Sequence, residues 1–368
     1  MRPVWAEVDL AAVRSNVSGI RAGLGPGCRY MAVVKANAYG HGDVAVARAA
    51  LEGGAEWLGV ILVAEARRLR DAGIDAPILL LHEPPATQAD DVVALGATPT
   101  VMTAAGAEAL NSAAERAGRT LAVHVKVDTG LNRLGIPPRA LDDVAATLSK
   151  QSRLDVEGVF SHFAIADPAD PSVAVQLVRF DAARRRLASF GIEPRIAHIG
   201  NSATALAHPD AQFDMVRVGI ATYGLPPDAL IRHRVALTPA MTLKARVAMA
   251  KRVPAGEGIS YGLHYRLARE STIATLPLGY ADGWPRHATG RTFALIHGRR
   301  HPIVGTICMD AMMVDLGDDE CEIGDEAVLI GGQGSARIDA VEIADALGTI
   351  SYEVVTAISS RVDRVAVG

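Results

Sequence analysis

The sequence predicts an α/β protein in two parts, an N-terminal (β/α)8 TIM-type barrel over residues 1–239 and a C-terminal mostly β domain over residues 240–368. Three observations predict it. Short β-branched runs alternate with amphipathic helical patterns through the first two-thirds of the chain, the sequence form of a parallel sheet wrapped by helices. That rhythm stops near Pro239 and gives way to a period of two. Finally, the polar residues at the ends of the early runs fall where a barrel gathers its working groups, at the C-terminal mouth of the strands.

A helix is expected first, with Asp9 as its N-cap and Leu10, Val13, Val17 and Ile20 on one face. Strand-like runs then recur at about 30–34, 57–62, 77–82, 98–102, 121–127, 154–161, 195–199 and 214–219, which makes eight. Helical patterns such as Asp43–Leu51, Ala64–Asp71, Ala104–Ala117 and Val173–Phe190 lie between them, several closed by a glycine. Beyond Pro239, Met241, Leu243, Ala245, Val247 and Met249 alternate with Thr242, Lys244, Arg246 and Ala248, the pattern of an antiparallel strand. Further strands are expected near 272–278, 292–297, 302–307, 312–316 and 326–330, with helices over Asp339–Leu347 and Ser351–Ser359.

The 368 residues, 49% of them hydrophobic, suffice for two cores. A net charge of −4 with no lysine- or arginine-rich run argues against nucleic acid or an anionic membrane as partner. Arg184, Arg185 and Arg186 read as the solvated face of a helix. Cys28, Cys308 and Cys321 show no C-x-x-C spacing, so neither a disulfide framework nor a metal site is indicated. The segment Met1–Glu7 has no apolar signal core and no stretch approaches membrane-spanning length, so a cytoplasmic protein is expected.

The string Val33-Val34-Lys35-Ala36-Asn37-Ala38-Tyr39-Gly40-His41-Gly42 carries the chemistry. It sets one lysine at the end of an apolar run, directly before a small-residue loop. An amine held there loses hydration, which favours the neutral nucleophile needed to form a Schiff base. That is the chemistry of an enzyme dependent on pyridoxal 5'-phosphate (PLP), and Tyr39 stands four residues on, where its hydroxyl can reach a phosphate oxygen. Lys35 alone reads better as a lysine snorkelling at a strand end; the full string reverses that reading. The barrel supplies an independent check. Lys35 follows the first strand, Lys126 and Arg133 end or follow the fifth, His162 ends the sixth, Asn201 and Ser202 follow the seventh, and Arg217 and Gly219 close the eighth, all at one mouth.

The ten-residue string resembles the cofactor-lysine motif of alanine racemases, the PLP-dependent fold-type III family. The resemblance continues in order through Lys126-Val127-Asp128-Thr129-Gly130-Leu131-Asn132-Arg133, Ser161-His162-Phe163-Ala164, Asn201-Ser202-Ala203 and Asp214-Met215-Val216-Arg217-Val218-Gly219-Ile220. It then runs through Ser260-Tyr261-Gly262, Gly279-Tyr280-Ala281-Asp282-Gly283, Cys308-Met309-Asp310 and Ser351-Tyr352-Glu353. It implies interconversion of L- and D-alanine, with D-alanine supplied to peptidoglycan. In this resemblance Lys35 holds PLP and serves one face of the substrate, while Tyr261 serves the opposite face from the partner subunit of a homodimer. Two bases are needed because a proton removed from one side must return on the other.

The resemblance also implies that Arg217 faces the pyridine nitrogen and, as a pure donor, leaves it unprotonated, which weakens the electron sink and discourages transamination. Tyr39, Ser202, Tyr352 and the backbone near Gly219 and Ile220 would hold the phosphate, with Asn201 and His162 beside the cofactor. Arg133 and the backbone of Met309 would orient the substrate carboxylate, and Tyr280 would narrow the entrance. Lys126 matches a lysine that relatives often carbamylate, with Arg133 as its partner; a plain Lys126–Asp128 contact is the competing reading. A racemase of broader range and a PLP-binding homeostasis protein are the alternatives, and the latter has no use for residues 240–368 or for Tyr261.

Overall fold

The computed structural model describes residues 3–166, 169–227 and 236–368; Met1 and Arg2 of the N-terminal segment lie outside the described residues. A strand that was not expected precedes the expected first helix. In β1 (Val4–Asp9), buried Val4, Ala6 and Val8 alternate with half-buried Trp5, Glu7 and Asp9, the period of a strand covered on one face. Helix α1 (Leu10–Ala22) follows in the expected place, and the Asp9 carboxylate accepts from the Ala12 amide at 2.9 Å, as an N-cap should.

The residues divide into two compact units, Val13–Ala38 with Asp43–Thr238, and Met1–Ala12 with Tyr39–Gly42 and Pro239–Gly368. Among its described residues the first contains eight strands, each at an expected position: β2 (Arg29–Val33), β3 (Trp57–Val60), β4 (Ile78–Leu80), β5 (Thr100–Val101), β6 (Leu121–Lys126), β7 (Leu154–Phe160), β8 (Ile196–His198) and β9 (Met215–Val218). They pair in parallel as two arcs, β4-β3-β2-β9 and β5-β6-β7-β8. A bridge from Leu79 to Thr98 joins the arcs on one side. On the other, the Asp214 amide donates to Ala197 O and the Arg217 amide to Gly200 O, each at 3.0 Å. These contacts close the ring, and among the described residues each of its strands has a neighbour on both sides. Met31, Trp57, Leu79, Ile196 and Met215, from five different strands, form one buried cluster, each contributing roughly 1.5–3 kcal/mol of apolar burial.

The second unit is built on a ten-stranded sheet. Its later strands are β10 (Met241–Arg246), β11 (Met249–Val253), β12 (Gly258–Ile259), β13 (Tyr265–Arg266), β14 (Ser271–Leu276), β15 (Phe293–Ile296), β16 (Arg299–Val304), β17 (Met312–Gly317), β18 (Glu326–Gln333), β19 (Ala336–Ile338) and β20 (Asp363–Val367). The order is β11-β14-β17-β16-β15-β18-β10-β1-β20, with β19 on β18 and β12 paired to β13 apart from the sheet. Strand β1 therefore belongs here, antiparallel to β10 with Val4 opposite Ala245, and parallel to β20 with Trp5 opposite Asp363. The expected division at 239/240 thus has an N-terminal exception, because both edges of β1 find partners only among the later residues. Among the described residues no helix is long and apolar enough to cross a membrane, and no group of His, Cys, Asp or Glu is placed to hold a metal ion.

Candidate active site

Lys35 emerges at the end of β2, and the chain then makes an unusual turn. Ala36, Asn37, Ala38 and Tyr39 all have φ between 52° and 54°, a short left-handed helical turn. Each non-glycine residue in that region costs roughly 1–2 kcal/mol, so the turn has to be held. Glu65, buried in the first turn of the helix Val63–Asp71, supplies one clamp: its carboxylate accepts from the amides of Ala36 (2.7 Å), Ile61 (2.9 Å) and Leu62 (3.1 Å). Asn37 Oδ1 accepts from the Asp43 amide at 3.1 Å and Val34 O from the Ala38 amide at 2.9 Å. Burial pushes the Lys35 ammonium down, helped by the charges of Arg133 and Arg217 and opposed by Glu65.

Arg217, on β9, is 4% exposed and has no carboxylate partner among the described residues. Its Nη1 donates to His198 Nδ1 at 2.9 Å, and Nη2 donates to Ser161 O (2.8 Å), Ile199 O (3.1 Å) and His162 Nδ1 (3.0 Å). Burial pushes this guanidinium down to about 9, which leaves it charged at neutral pH. Because a guanidinium only donates, both imidazoles accept and carry their hydrogen on Nε2. Burial, then the surrounding cations with Arg217 foremost, hold His162 and His198 well below the usual histidine range. The Phe160 ring lies under two of the cations, 5.2 Å from Lys126 Nζ and 5.3 Å from the Arg217 guanidinium carbon.

Lys126 ends β6 with 5% exposure. Burial, followed by Arg217, Arg133 and Lys35, pushes its ammonium down to about 8. Asp128 does not form an ion pair with it; its Oδ1 accepts instead from the amides of Gly130 (2.9 Å) and Asn132 (3.1 Å), closing its own loop. Arg133 is exposed on that loop. After β8, Asn201 caps the helix Ser202–Ala207 by accepting from the amides of Ala203 (3.0 Å) and Thr204 (3.2 Å). Buried Ser202 accepts from the Gly219 amide at 2.9 Å. Its hydroxyl can still donate, and the Ile220 amide has no hydrogen-bond partner among the described residues.

The remaining expected residues lie in the second unit. The rings of Tyr39 and Tyr352 pack with centroids 6.0 Å apart. Tyr261 is 74% exposed and stands in a turn of unusual backbone, with φ of 64° at Ser260, 77° at Gly262 and 50° at Leu263. Thr306 fixes this turn, donating its hydroxyl to Tyr261 O at 2.8 Å while its own carbonyl accepts from Ser260 Oγ at 2.6 Å. Glycine suits position 262 because its φ lies in the left-handed region that side chains disfavour. Met309 and Tyr280 are exposed on adjoining loops, where Met309 O accepts from the Ala281 amide at 3.0 Å. Gly279 permits the approach; a Cβ on it would lie 2.2 Å from Cys308 O.

Sequence reasoning missed Glu65, His124 and His198. Glu65 sits in a charged helix pattern with nothing to mark it, whereas each histidine is a lone polar residue in an apolar strand run, a signal that was present.

Comparison with known proteins adds an independent line. The profile of the alanine racemase N-terminal domain matches residues 8–227 and that of the alanine racemase C-terminal domain matches residues 240–366. The alanine racemase of Symbiobacterium thermophilum is 49% identical over 366 residues, covering 99% of this chain and 97% of the relative. That of Thermobifida fusca is 46% identical, covering 99% and 98%. Among solved structures, the alanine racemase of D-cycloserine-producing Streptomyces lavendulae superposes with a TM-score of 0.95 at 42% identity, over 100% of this chain and 98% of the other. The Bacillus anthracis alanine racemase with bound L-Ala-P gives 0.95 at 39%, over 100% and 96%.

Proposed function

Because the chain belongs to the alanine racemase family, whose members depend on PLP and interconvert L- and D-alanine, we propose that Lys35 and Tyr261 are the two groups that move the substrate's α-proton. The observation that carries this is the state of Lys35. It follows β2 at the head of the left-handed turn, and burial with two neighbouring guanidiniums disfavours its charge, which shifts the amine toward the neutral form that imine chemistry requires.

The residues present fit PLP. An amine with its charge suppressed, a donor-only cation for a ring nitrogen, and a hydroxyl with an amide for a phosphate are the donors such a molecule needs. Bound PLP supplies the electron-withdrawing ring that acidifies the substrate's α-hydrogen. Lys35 Nζ holds the cofactor and exchanges that proton on one face; Tyr261 exchanges it on the other. Arg217 donates to the ring nitrogen and cannot protonate it. Ser202, the Ile220 amide and the hydroxyls of Tyr39 and Tyr352 hold the phosphate, while the Asn201 cap and the Gly219 amide keep Ser202 in place. His162 stays neutral beside the ring, its Nδ1 committed to Arg217. The Met309 amide and Arg133 orient the substrate carboxylate, and Tyr280 narrows the entrance.

Lys126 is the residue we assign to carbamylation. A carbamate forms only from the neutral amine, and a pKa near 8 leaves roughly a tenth of it neutral at pH 7. The resulting anion would sit among Arg217, Arg133 and Lys35, where a bare ammonium is disfavoured. The protein acts as a cytoplasmic homodimer in which each chain lends Tyr261 to its partner, and its D-alanine feeds peptidoglycan. The exposure of the large side chains of Tyr261, Leu263, Tyr280, Met309 and Ile350 supports the dimer.

The test is isotopic. The PLP-loaded protein is incubated in deuterated water with each small L- and D-amino acid, and products are separated chirally. Racemisation of alanine is expected, with Tyr261→Phe losing α-hydrogen exchange from one enantiomer only. Equal loss from both would remove the two-face assignment, and faster turnover of a larger amino acid would replace alanine as the preferred substrate.

A further inference from the structure

Arg217 is a buried cation whose position is set by neutral groups, and one of these continues into the barrel core. His198 Nε2 lies 2.9 Å from His124 Nδ1. Since His198 already accepts from Arg217 on Nδ1, its hydrogen is on Nε2 and His124 must accept. The hydrogen of His124 is then on its own Nε2, which faces Glu157 Oε2 at 3.8 Å. This is beyond hydrogen-bond reach and close enough for charge–dipole attraction. The donor direction runs one way, from the guanidinium through two imidazoles toward a carboxylate that also lies 3.8 Å from Arg195.

Two local irregularities accompany this chain of groups. The pairing of β6 with β7 shifts register between Val123 and His124: Val123 is opposite Val156, His124 is opposite Gly158, and Glu157 is the extra residue of a bulge. Bulges re-aim side chains and collect beside active sites. Gly158 then makes room for the imidazole, because a Cβ at that position would stand 2.5 Å from His124 Nδ1. His198 is in turn stacked flat on Phe160, 4.7 Å apart at 8°.

We propose that His124, His198 and Glu157 are positioning residues that lock the direction of the hydrogen bond from Arg217 to His198, and so keep Arg217 fixed in place. The proposal rests on the reading that Arg217 faces the cofactor's ring nitrogen. Were His198 to turn its hydrogen to Nδ1, two donors would oppose each other in the core and the guanidinium would be displaced. His124 prevents this by giving the Nε2 hydrogen the acceptor it would otherwise lack. Glu157 orients His124 by attracting the Nε2–H end, without entering an ion pair that would offset Arg217's charge.

The first measurement needs no cofactor. Long-range proton–nitrogen correlation spectra of the apo-protein labelled with nitrogen-15 histidine, assigned by single substitutions, should show His198, His124 and His162 neutral at pH 7 with the hydrogen on Nε2. A hydrogen on His198 Nδ1 would overturn the proposal. The second uses the PLP-loaded enzyme and the ratio of pyruvate formed to alanine racemised. His124→Phe, and Gly158→Ala, which leaves every group of the chain chemically intact, should each raise that ratio roughly tenfold, a difference of about 1.4 kcal/mol between the two outcomes. A merely structural role would lower yield and turnover without moving the ratio. Arg217→Glu is the control. If it raises the ratio and the other two variants do not, the relay is refuted and the reading of Arg217 stands. If Arg217→Glu leaves the ratio unchanged, that reading fails first.

Discussion

Replacing Glu65 with alanine should unmake the turn that presents Lys35. The carboxylate is buried and accepts three amides at 2.7–3.1 Å. Hydrogen bonds to a charged group contribute about 1.5–3 kcal/mol each, and three sharing two oxygens do not add fully, so a loss of about 3–4 kcal/mol is expected. The four left-handed residues from Ala36 to Tyr39 carry roughly 4–8 kcal/mol of local strain, comparable to what the clamp supplies. Without it the turn relaxes and Lys35 moves with it. In a unit of this size about 2–4 °C of melting temperature corresponds to 1 kcal/mol, which places the expected fall at about 6–16 °C. Thermal unfolding of the apo-protein measures that. Borohydride reduction with added PLP, followed by peptide mass analysis, measures how much cofactor is trapped on Lys35. Glu65→Gln should fall between the two, since one oxygen is replaced by a donor that opposes an amide. An unshifted melting point together with unchanged trapping in Glu65→Ala would refute the reasoning.

Four further outcomes are expected. When Lys35→Ala and Tyr261→Ala homodimers exchange subunits, about half the dimers are mixed and each mixed dimer has one intact site, so roughly a quarter of wild-type activity should return; no recovery with mixed dimers confirmed by tags would mean that Tyr261 serves its own chain. Lys126 is pushed down to about 8, so the unfolded chain binds more protons between about pH 8 and about pH 10.4. Stability in carbonate-free buffer should therefore rise with pH across that window, and Lys126→Met should flatten the slope in denaturant titrations. In carbon-13 bicarbonate the wild type should show a carbamate resonance that Lys126→Met lacks, and an ordered, unmodified ammonium in a crystal equilibrated with bicarbonate would count against the assignment. Gly279→Ala should disrupt the Cys308–Met309 loop, because its Cβ would stand 2.2 Å from Cys308 O; KM for alanine should rise more than the melting temperature falls, and an unchanged KM would exclude Met309 from substrate binding.

The eight barrel strands were legible because their β-branched runs are bounded by glycines and helix caps, and local composition is enough to read such boundaries. Strand β1 was not, since six residues leading into a good N-cap look like the approach to a helix and its pairing partners lie at the far end of the chain. The left-handed turn after Lys35 was equally hidden. Ala-Asn-Ala-Tyr contains no glycine at the positive-φ positions, so nothing local announces the conformation, and its clamp comes from a glutamate about thirty residues away. Lys35, Lys126 and Arg217 were found because each breaks an apolar run. His124 and His198 break theirs too, yet their meaning depends on the ring closing β6 through β9. Glu157 needed the bulge, which no pattern of residue types encodes.

The place of β1 has a consequence for how the molecule comes into being. Its hydrogen-bonding edges are satisfied by residues 241–245 on one side and 363–367 on the other, so this strand waits more than two hundred residues of synthesis for its first partner and more than three hundred for its second. Residues 13–238 can meanwhile assemble from neighbours close in sequence, strand upon adjacent strand, as synthesis proceeds. During that interval Val4, Ala6 and Val8 are an uncovered apolar ladder with open amides, the kind of edge that other chains add to. A fragment comprising residues 240–368 alone would inherit the complementary defect, with β10 and β20 both facing the gap that β1 fills. Supplying Val4–Asp9 at the C-terminus of such a fragment, through a flexible linker, is the permutation that the sheet itself suggests.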